Sequence, residues 1–193
     1  MSRTALSLPR PKRPGRRPAL APRAAVALLG AVLGAILVVP ALAHDASPRA
    51  SVSQRIGMSE VTVDYGRPGV KDRAIWGELV PYGEPWKTGA DAMTTLELGG
   101  DLVVVGTKLA AGKYGILTIP GEDEWTVVIT KRADIHRPDT YDPAADDALR
   151  LELVPEAAPH QERLQFTFDD LTMTSADLIL HWEKKRVRIP ISE

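Results

Sequence analysis

The feature that most constrains the fold of this chain is a two-residue alternation of apolar and polar side chains. It begins near Ser51 and returns in short segments to the C-terminus, for example in Leu164, Phe166 and Phe168, which alternate with polar neighbours. Successive side chains of a β-strand point to opposite faces of a sheet, so this period indicates half-buried strands. Turn residues separate the segments, and no long helical pattern intervenes. We therefore predict an all-β domain with about eight or nine strands, folded as an antiparallel β-sandwich or jelly-roll.

One long stretch, residues 65–95, interrupts the alternation. It contains two of the four tryptophans, together with several cations, glycines and prolines. A rigid sheet that carries one long and compositionally rich loop is a common way to build a binding or catalytic surface. We therefore place the candidate site in this loop. The candidate ligand-binding residues are Arg67, Arg73, Trp76, Trp86, Lys87, Asp91, Thr94 and Thr95.

The N-terminus has the composition of a secretory signal peptide. Residues 1–23 carry seven cations and no acid, and residues 24–39 are wholly apolar or glycine. Pro40 and the small-residue site Ala41-Leu42-Ala43 follow, so we expect cleavage before His44. The pattern predicts export to the periplasm or the extracellular space.

This leader divides the chain into three parts. They are a signal peptide over 1–43, a flexible segment over 44–50 and a single β-sandwich domain over 51–193. Residues 24–43 are also just long enough to span a bilayer, so the alternative is a membrane anchor that is not cleaved. After cleavage, no membrane span is expected.

Charge and cysteine content exclude several classes of function. Seven of the 24 basic residues lie in the leader and all 25 acids lie beyond it, so the remainder carries a net charge of about −8. A net acidic domain binds nucleic acid poorly. The chain has no cysteine, which excludes disulfides, zinc–thiolate sites and thiol nucleophiles. The domain must therefore be held together by its apolar core.

Several motifs of the chain resemble a bacterial family. They are Tyr65-Gly-Arg-Pro, Lys71-Asp-Arg73, Ile75-Trp-Gly77, Leu79-Val-Pro-Tyr-Gly83, Trp86-Lys-Thr-Gly-Ala-Asp91 and Leu109-Ala-Ala-Gly-Lys-Tyr114. Together they resemble the domain-of-unknown-function family 2911 from about Ser51 to Ile191. The resemblance implies an exported protein without an established activity. Where the family's usual block reads Trp-Arg-x-Gly-Ala-Asn, this chain has Lys87 and Asp91, so a point charge replaces a forked donor and a carboxylate replaces an amide.

The candidate residues allow two interpretations of the loop. In the functional one, cations hold a carboxylate or phosphate and the Trp76 and Trp86 indoles stack on a sugar ring, so the partner is an anionic or sugar-like small molecule or a glycan. In the structural one, the tryptophans plug the open end of the sandwich, while Lys87 with Asp91, and Arg73 with a loop carbonyl, hold the loop in place. The functional interpretation predicts a non-catalytic binding or envelope-associated module without a cofactor. The oligomeric state is left open.

Catalysis is the alternative hypothesis for the same loop. The chain has no G-x-S-x-G nucleophile motif. A carbohydrate-active enzyme could instead use Asp91 as the carboxylate, with Lys87 or Arg73 as its electrostatic partner. Such an active site needs a second titratable group within hydrogen-bond reach of Asp91.

Metal binding has few candidates in this sequence. No H-E-x-x-H motif is present, and the acidic segment Asp139–Asp147 does not match a calcium-binding loop, so we predict that it is solvated. If cleavage leaves His44 at the N-terminus, its amine and imidazole could chelate copper with a second histidine such as His181. Otherwise no metal site is predicted.

Overall fold

The computed structural model of the chain describes residues 47–193. The predicted signal peptide, the alternative anchor and His44 lie outside these residues. The strands are β1 (Arg49–Ile56), β2 (Ser59–Gly66), β3 (Thr94–Leu98), β4 (Leu102–Val104), β5 (Thr107–Leu109), β6 (Gly112–Pro120), β7 (Trp125–Thr130), β8 (Asp147–Leu153), β9 (Glu156–Asp169) and β10 (Ser175–Ser192). A 3₁₀ turn (Pro138–Thr140) and a one-turn helix α1 (Pro143–Asp146) precede β8. No helix within 47–193 is long and apolar enough to cross a membrane.

The strands form two sheets in which every pair of neighbouring strands is antiparallel. The first sheet has the order β1-β2-β3-β6-β7-β8, and the second has the order β5-β4-β10-β9. The predicted all-β antiparallel fold is thus confirmed, with ten strands in place of eight or nine. The strand β5 reads Thr-Lys-Leu and displays no alternation, so the pattern does not reveal it. Strand β1 begins at Arg49, two residues before the predicted start of the domain.

The apolar core is built from inward-facing side chains of both sheets. Val61 and Val63 of β2, and Leu180 and Trp182 of β10, are each at most 2% exposed and belong to one buried cluster. Burying a large apolar side chain contributes about 1.5–3 kcal/mol. Because the chain has no cysteine, this core holds the two sheets together without any disulfide.

The outer face of the first sheet is covered as well. A second buried cluster there consists of Met93, Leu117, Val128 and Ile135. Ile135 belongs to the segment 131–146, which the sequence predicted to be solvated from Asp139 onward. Asp146 is instead buried, and its main-chain carbonyl accepts hydrogen bonds from Lys131 N and Thr130 Oγ1. The acidic segment therefore contributes to the structure of the sheet.

The long loop between β2 and β3 is tied to both sheets. Gly69 forms an isolated antiparallel bridge with Arg163 of β9, and Trp86 forms another with Thr118 of β6. Trp86 occupies the edge of β6 just beyond the last residue pair that β6 makes with β3. Main-chain groups need hydrogen-bond partners when they leave water, and these bridges supply them. The loop is consequently held at a defined place against the scaffold.

Candidate functional site

All four tryptophans of the chain meet where the loop covers the core. The ring centroid of Trp76 lies 4.4 Å from that of Trp125, 5.8 Å from that of Trp182 and 6.1 Å from that of Trp86. Trp125 and Trp182 are buried, whereas Trp76 and Trp86 are half-buried. Aromatic pairs of this kind contribute about 0.5–1.5 kcal/mol beyond the burial of their area. The indole cluster thus anchors the loop to the core.

A cleft of about 280 Å³ opens beside the indole cluster. Its lining includes Trp86, Trp182, Val80, Lys71, Arg73 and Arg163. Pockets for drug-sized molecules span about 300–1,000 Å³, so this cleft has room for a ligand of roughly one ring. It combines aromatic and aliphatic surface with three positive charges.

Main-chain carbonyl groups hold both arginines of the cleft. Arg73 donates from Nε to Val70 O at 3.1 Å and from Nη2 to Gly69 O at 2.6 Å. Arg163 donates from Nη1 to Arg67 O at 3.3 Å. A guanidinium group carries five N–H donors, so each arginine retains donors that these bonds do not use.

One carboxylate lies beside the cationic residues of the cleft. Glu162 Oε1 accepts a hydrogen bond from Lys71 N at 3.1 Å, and its Oε2 lies 3.4 Å from His160 Nε2. The Lys71 N–H lowers the pKa of Glu162 below its usual value, and the hydrogen bond and charge of His160 lower it further. Glu162 therefore stays ionised at neutral pH and offsets part of the positive charge.

The structure places two of the eight predicted site residues, Arg73 and Trp86, in the lining of the cleft. Trp76 packs against Trp86 in the indole cluster. Arg67 donates from Nε to Leu164 O at 3.1 Å, which joins the loop to β9.

Lys87 and Asp91 contact each other, but not as an ion pair. Lys87 Nζ donates to the main-chain carbonyl of Asp91 at 2.5 Å and to that of His136 at 3.1 Å. The Asp91 carboxylate is exposed and accepts from Ser47 N at 3.2 Å. Lys87 therefore links the site loop to the segment 131–146 that covers the first sheet.

The two threonines of the prediction face opposite ways on β3. Thr94 is fully buried, and its Oγ1 donates to Thr88 O at 2.8 Å. Thr95 alternates to the other face of the strand, away from the core. Neither residue lines the cleft.

Within the described residues, the Asp91 carboxylate has no titratable partner and no cluster of metal ligands is present. No second titratable group in residues 47–193 lies within hydrogen-bond distance of the Asp91 carboxylate. Groups of three or more metal-ligating side chains are likewise absent from this range. His181, a proposed copper ligand, has its Nε2 2.9 Å from Pro159 O.

Sequence reasoning missed three cleft residues with charged or aromatic side chains: Lys71, which lies in the loop, and Arg163 and Trp182, which lie outside it. Trp182 lies in a segment where Leu178, Leu180 and Trp182 occupy alternate positions, but nothing local indicates that it meets Trp86. Arg163 precedes Leu164 in another such strand, where a charged residue usually faces solvent. Both reach the cleft only through long-range pairing of β9 and β10.

Comparison with known proteins adds a family to this description. Neither a curated protein nor a solved structure matches the chain. Residues 47–191 match the family described as Protein of unknown function (DUF2911), which covers nearly the whole predicted domain. Because this match extends over most of the sequence, the chain belongs to the DUF2911 family, as its motifs predicted.

Proposed function

We propose that this protein is an exported, non-catalytic binding module that holds a small ligand in the cleft beside the indole cluster. The observation that carries the proposal is the composition of the cleft. Trp86 and Trp182 line it together with the arginines Arg73 and Arg163. Aromatic surface with a few well-placed polar groups is the usual character of a small-molecule site.

The rigidity of the site supports binding. Trp86 donates from Nε1 to Gly89 O at 3.0 Å, and its main chain pairs with Thr118 in both directions. The two arginines are oriented by carbonyl groups of the loop. Side chains that are already ordered lose less conformational entropy when a ligand arrives, which favours affinity.

The position of Asp91 favours binding over catalysis. Hydrolysis of a glycosidic bond commonly requires two carboxyl groups on either side of the bond. The Asp91 carboxylate accepts from a main-chain N–H, and Lys87 contacts its carbonyl oxygen instead of its carboxylate. The described residues therefore offer this carboxylate no partner for acid–base chemistry.

Export is the second part of the proposal and rests on the leader of residues 1–43. Its test is N-terminal sequencing of the protein recovered from an envelope fraction of a host that expresses the full gene. A chain that begins at His44 supports export with cleavage. A chain that retains residues 24–43 and sediments with membranes supports the anchored alternative.

A thermal-shift screen tests the binding function. The full-length chain is heated with glycans, carboxylated and phosphorylated small molecules, and divalent metals in separate samples. A ligand that binds only the native state adds about 2.7 kcal/mol of stability at a hundred times its Kd, which raises the midpoint. We expect one class of compound to raise the midpoint of the wild-type chain. The Arg163→Gln substitution should abolish that rise.

Arg55→Gln is the matched control for that variant. Arg55 is exposed and lies near the far end of β1 from Ser47, which lines the cleft. The Arg55→Gln substitution should leave the ligand-induced rise of the midpoint unchanged. If no class of compound raises the midpoint of the wild-type chain, the binding function is wrong and the loop has a structural role alone.

A further inference from the structure

The charge of the cleft is opposite to that of the domain around it. Three lining residues, Lys71, Arg73 and Arg163, are cations, and none of the lining residues carries a carboxylate. Glu162 lies beside them and offsets part of this charge. The chain beyond the leader has a net charge of about −8. Long-range attraction by the whole domain therefore cannot account for anion binding, and the local donors have to supply it. A cluster of cations inside an acidic domain favours a negatively charged ligand at that place.

The donors of the two arginines suit a planar anion. Arg73 uses Nε and Nη2 for the carbonyls of Val70 and Gly69, while Arg163 uses Nη1 for the carbonyl of Arg67. These bonds orient each guanidinium plane and leave part of its fork unused. Arginine forks match a carboxylate with two parallel N–H···O bonds, which gives both strength and direction.

The rest of the cleft suits a ring-shaped ligand. Trp86 is half-buried and stacks on the buried Trp182, so the accessible aromatic surface belongs mainly to Trp86. Leu79 and Val80 add aliphatic lining. An indole face accepts either an aromatic ring or the apolar face of a pyranose. The volume of about 280 Å³ limits the occupant to about one ring.

We infer that the cleft binds a one-ring molecule carrying a carboxylate, with the ring against Trp86 and the carboxylate on the forks of Arg73 and Arg163. The inference rests on the proposed binding function and names its ligand class. A uronic acid and an aromatic acid share this chemistry. Arginine forks bind phosphate as well as carboxylate, so inorganic phosphate is the competing anion in the test.

Tryptophan fluorescence provides the test, since all four tryptophans belong to the cluster beside the cleft. The full-length chain is titrated separately with D-glucuronate, benzoate, D-glucose, the methyl ester of D-glucuronate and inorganic phosphate. We expect a saturable change with glucuronate, benzoate or both, and binding at least about tenfold weaker for the ester and glucose. A response to glucuronate alone indicates a uronic acid as the ligand, and a response to benzoate alone indicates an aromatic acid.

Variants connect the response to the arginines. Arg73→Gln and Arg163→Gln should each weaken binding of the carboxylate by about tenfold or more, whereas Arg55→Gln should not. Equal binding of glucose and glucuronate, with no effect of either arginine variant, would overturn the ligand class but leave the binding function intact. Preferential binding of phosphate would also overturn the ligand class. No response to any of the five compounds contradicts the ligand class, and the wider thermal-shift screen then decides whether the binding function survives.

Discussion

The indole of Trp86 stacks on that of Trp182 with ring centroids 5.7 Å apart and ring planes inclined by 23°. Trp86 comes from the loop after β2, and Trp182 comes from the last strand, β10. The contact therefore joins the loop to the core and also forms part of the cleft wall. It follows that loop stability and ligand binding depend on one pair of side chains.

Trp86→Ala should lower both the stability of the loop and the affinity for a ligand. Truncating a half-buried indole removes apolar burial and leaves a cavity, which should cost about 2 kcal/mol in the free energy of unfolding. It should also remove the stacking surface for a ligand. Urea denaturation measures the first effect, and the thermal-shift screen measures the second. Leu79→Ala is the control, because Leu79 lines the cleft but is 44% exposed. An equal loss of stability in both variants would contradict the anchoring role of Trp86.

Lys87→Ala should destabilise the loop without removing a cleft residue. Lys87 Nζ bonds to the carbonyls of Asp91 and His136, and hydrogen bonds to charged groups contribute about 1.5–3 kcal/mol, less at an exposed site. We expect a loss of about 1 kcal/mol and faster amide hydrogen exchange around both carbonyls. Lys113→Ala, at an exposed position of β6, is the control. Unchanged hydrogen exchange near His136 in Lys87→Ala would show that the bond from Lys87 to the His136 carbonyl does not stabilise that segment.

Much of the scaffold could be predicted from the sequence because its signal is local. Alternation in β2 places Val61 and Val63 inward, and both are fully buried. A strand with one buried face repeats every second residue whatever its partners are. The strand β5 is an exception, since Thr107 and Lys108 are both polar and exposed and only Leu109 is buried.

The site was harder to predict because its contacts join distant parts of the chain. The sequence pairs Lys87 with Asp91 in holding the loop but does not show which atoms meet: the amine binds the carbonyl oxygen, and the carboxylate accepts from Ser47 N. Asp91 has a φ of 62°, a left-handed backbone conformation that local spacing does not reveal. The pairing of Gly69 with Arg163 depends on where β9 runs, so the sequence of the loop could not indicate it.

Glu162→Gln should strengthen the binding of an anion. The glutamine retains an oxygen that can accept from Lys71 N but removes a negative charge that interacts with Arg163. Exposed charge pairs contribute up to about 1 kcal/mol, so the affinity for D-glucuronate should rise by about two- to fivefold. Fluorescence titration measures this change, and the uncharged methyl ester should show no such gain. Weaker binding of glucuronate in this variant would mean that the carboxylate is needed to position the Lys71 segment.

Tyr141 should make the protein sensitive to alkali. Its Oη donates to Asp147 and accepts from Arg150 Nη2 at 2.7 Å. Burial and then the hydrogen bond to Asp147 raise the pKa of Tyr141 well above its usual value near 10. Between the pKa of the unfolded chain, near 10, and the higher pKa of the folded chain, the unfolded chain has lost a proton that the folded chain retains. The stabilisation is therefore complete below about pH 10 and is lost as pH rises through the folded pKa.

Comparison with Tyr141→Phe measures this contribution. The phenylalanine variant should be less stable at neutral pH, because it lacks the hydrogen bonds to Asp147 and Arg150. Above about pH 10 its free energy of unfolding should fall less steeply than that of the wild type. Tyr82→Phe, at an exposed position, should keep the wild-type slope. Parallel slopes for the wild type and Tyr141→Phe would contradict the raised pKa.

Met58 and Met173 should be oxidised by hydrogen peroxide well before Met93. The first two are 84% and 90% exposed, whereas Met93 is 4% exposed in the cluster on the outer face of the first sheet. Peroxide transfers one oxygen to the thioether, giving a sulfoxide and water, so the sulfur must be accessible. The chain has no cysteine to compete for the oxidant. Both exposed sulfoxides should leave the free energy of unfolding nearly unchanged, since neither side chain is packed in the core.

Peptide mapping by mass spectrometry measures the rate of oxygen addition at these three residues. In urea, where burial is lost, the three rates should become similar, which provides the control for intrinsic reactivity. The ratio of the native to the unfolded rate at Met93 then reports how often the covering segment 131–146 opens. Equal rates for Met58 and Met93 in the native protein would mean that this segment does not shield the outer face of the sheet. Lys87→Ala should raise the native rate at Met93, because Lys87 ties the same segment to the loop through His136.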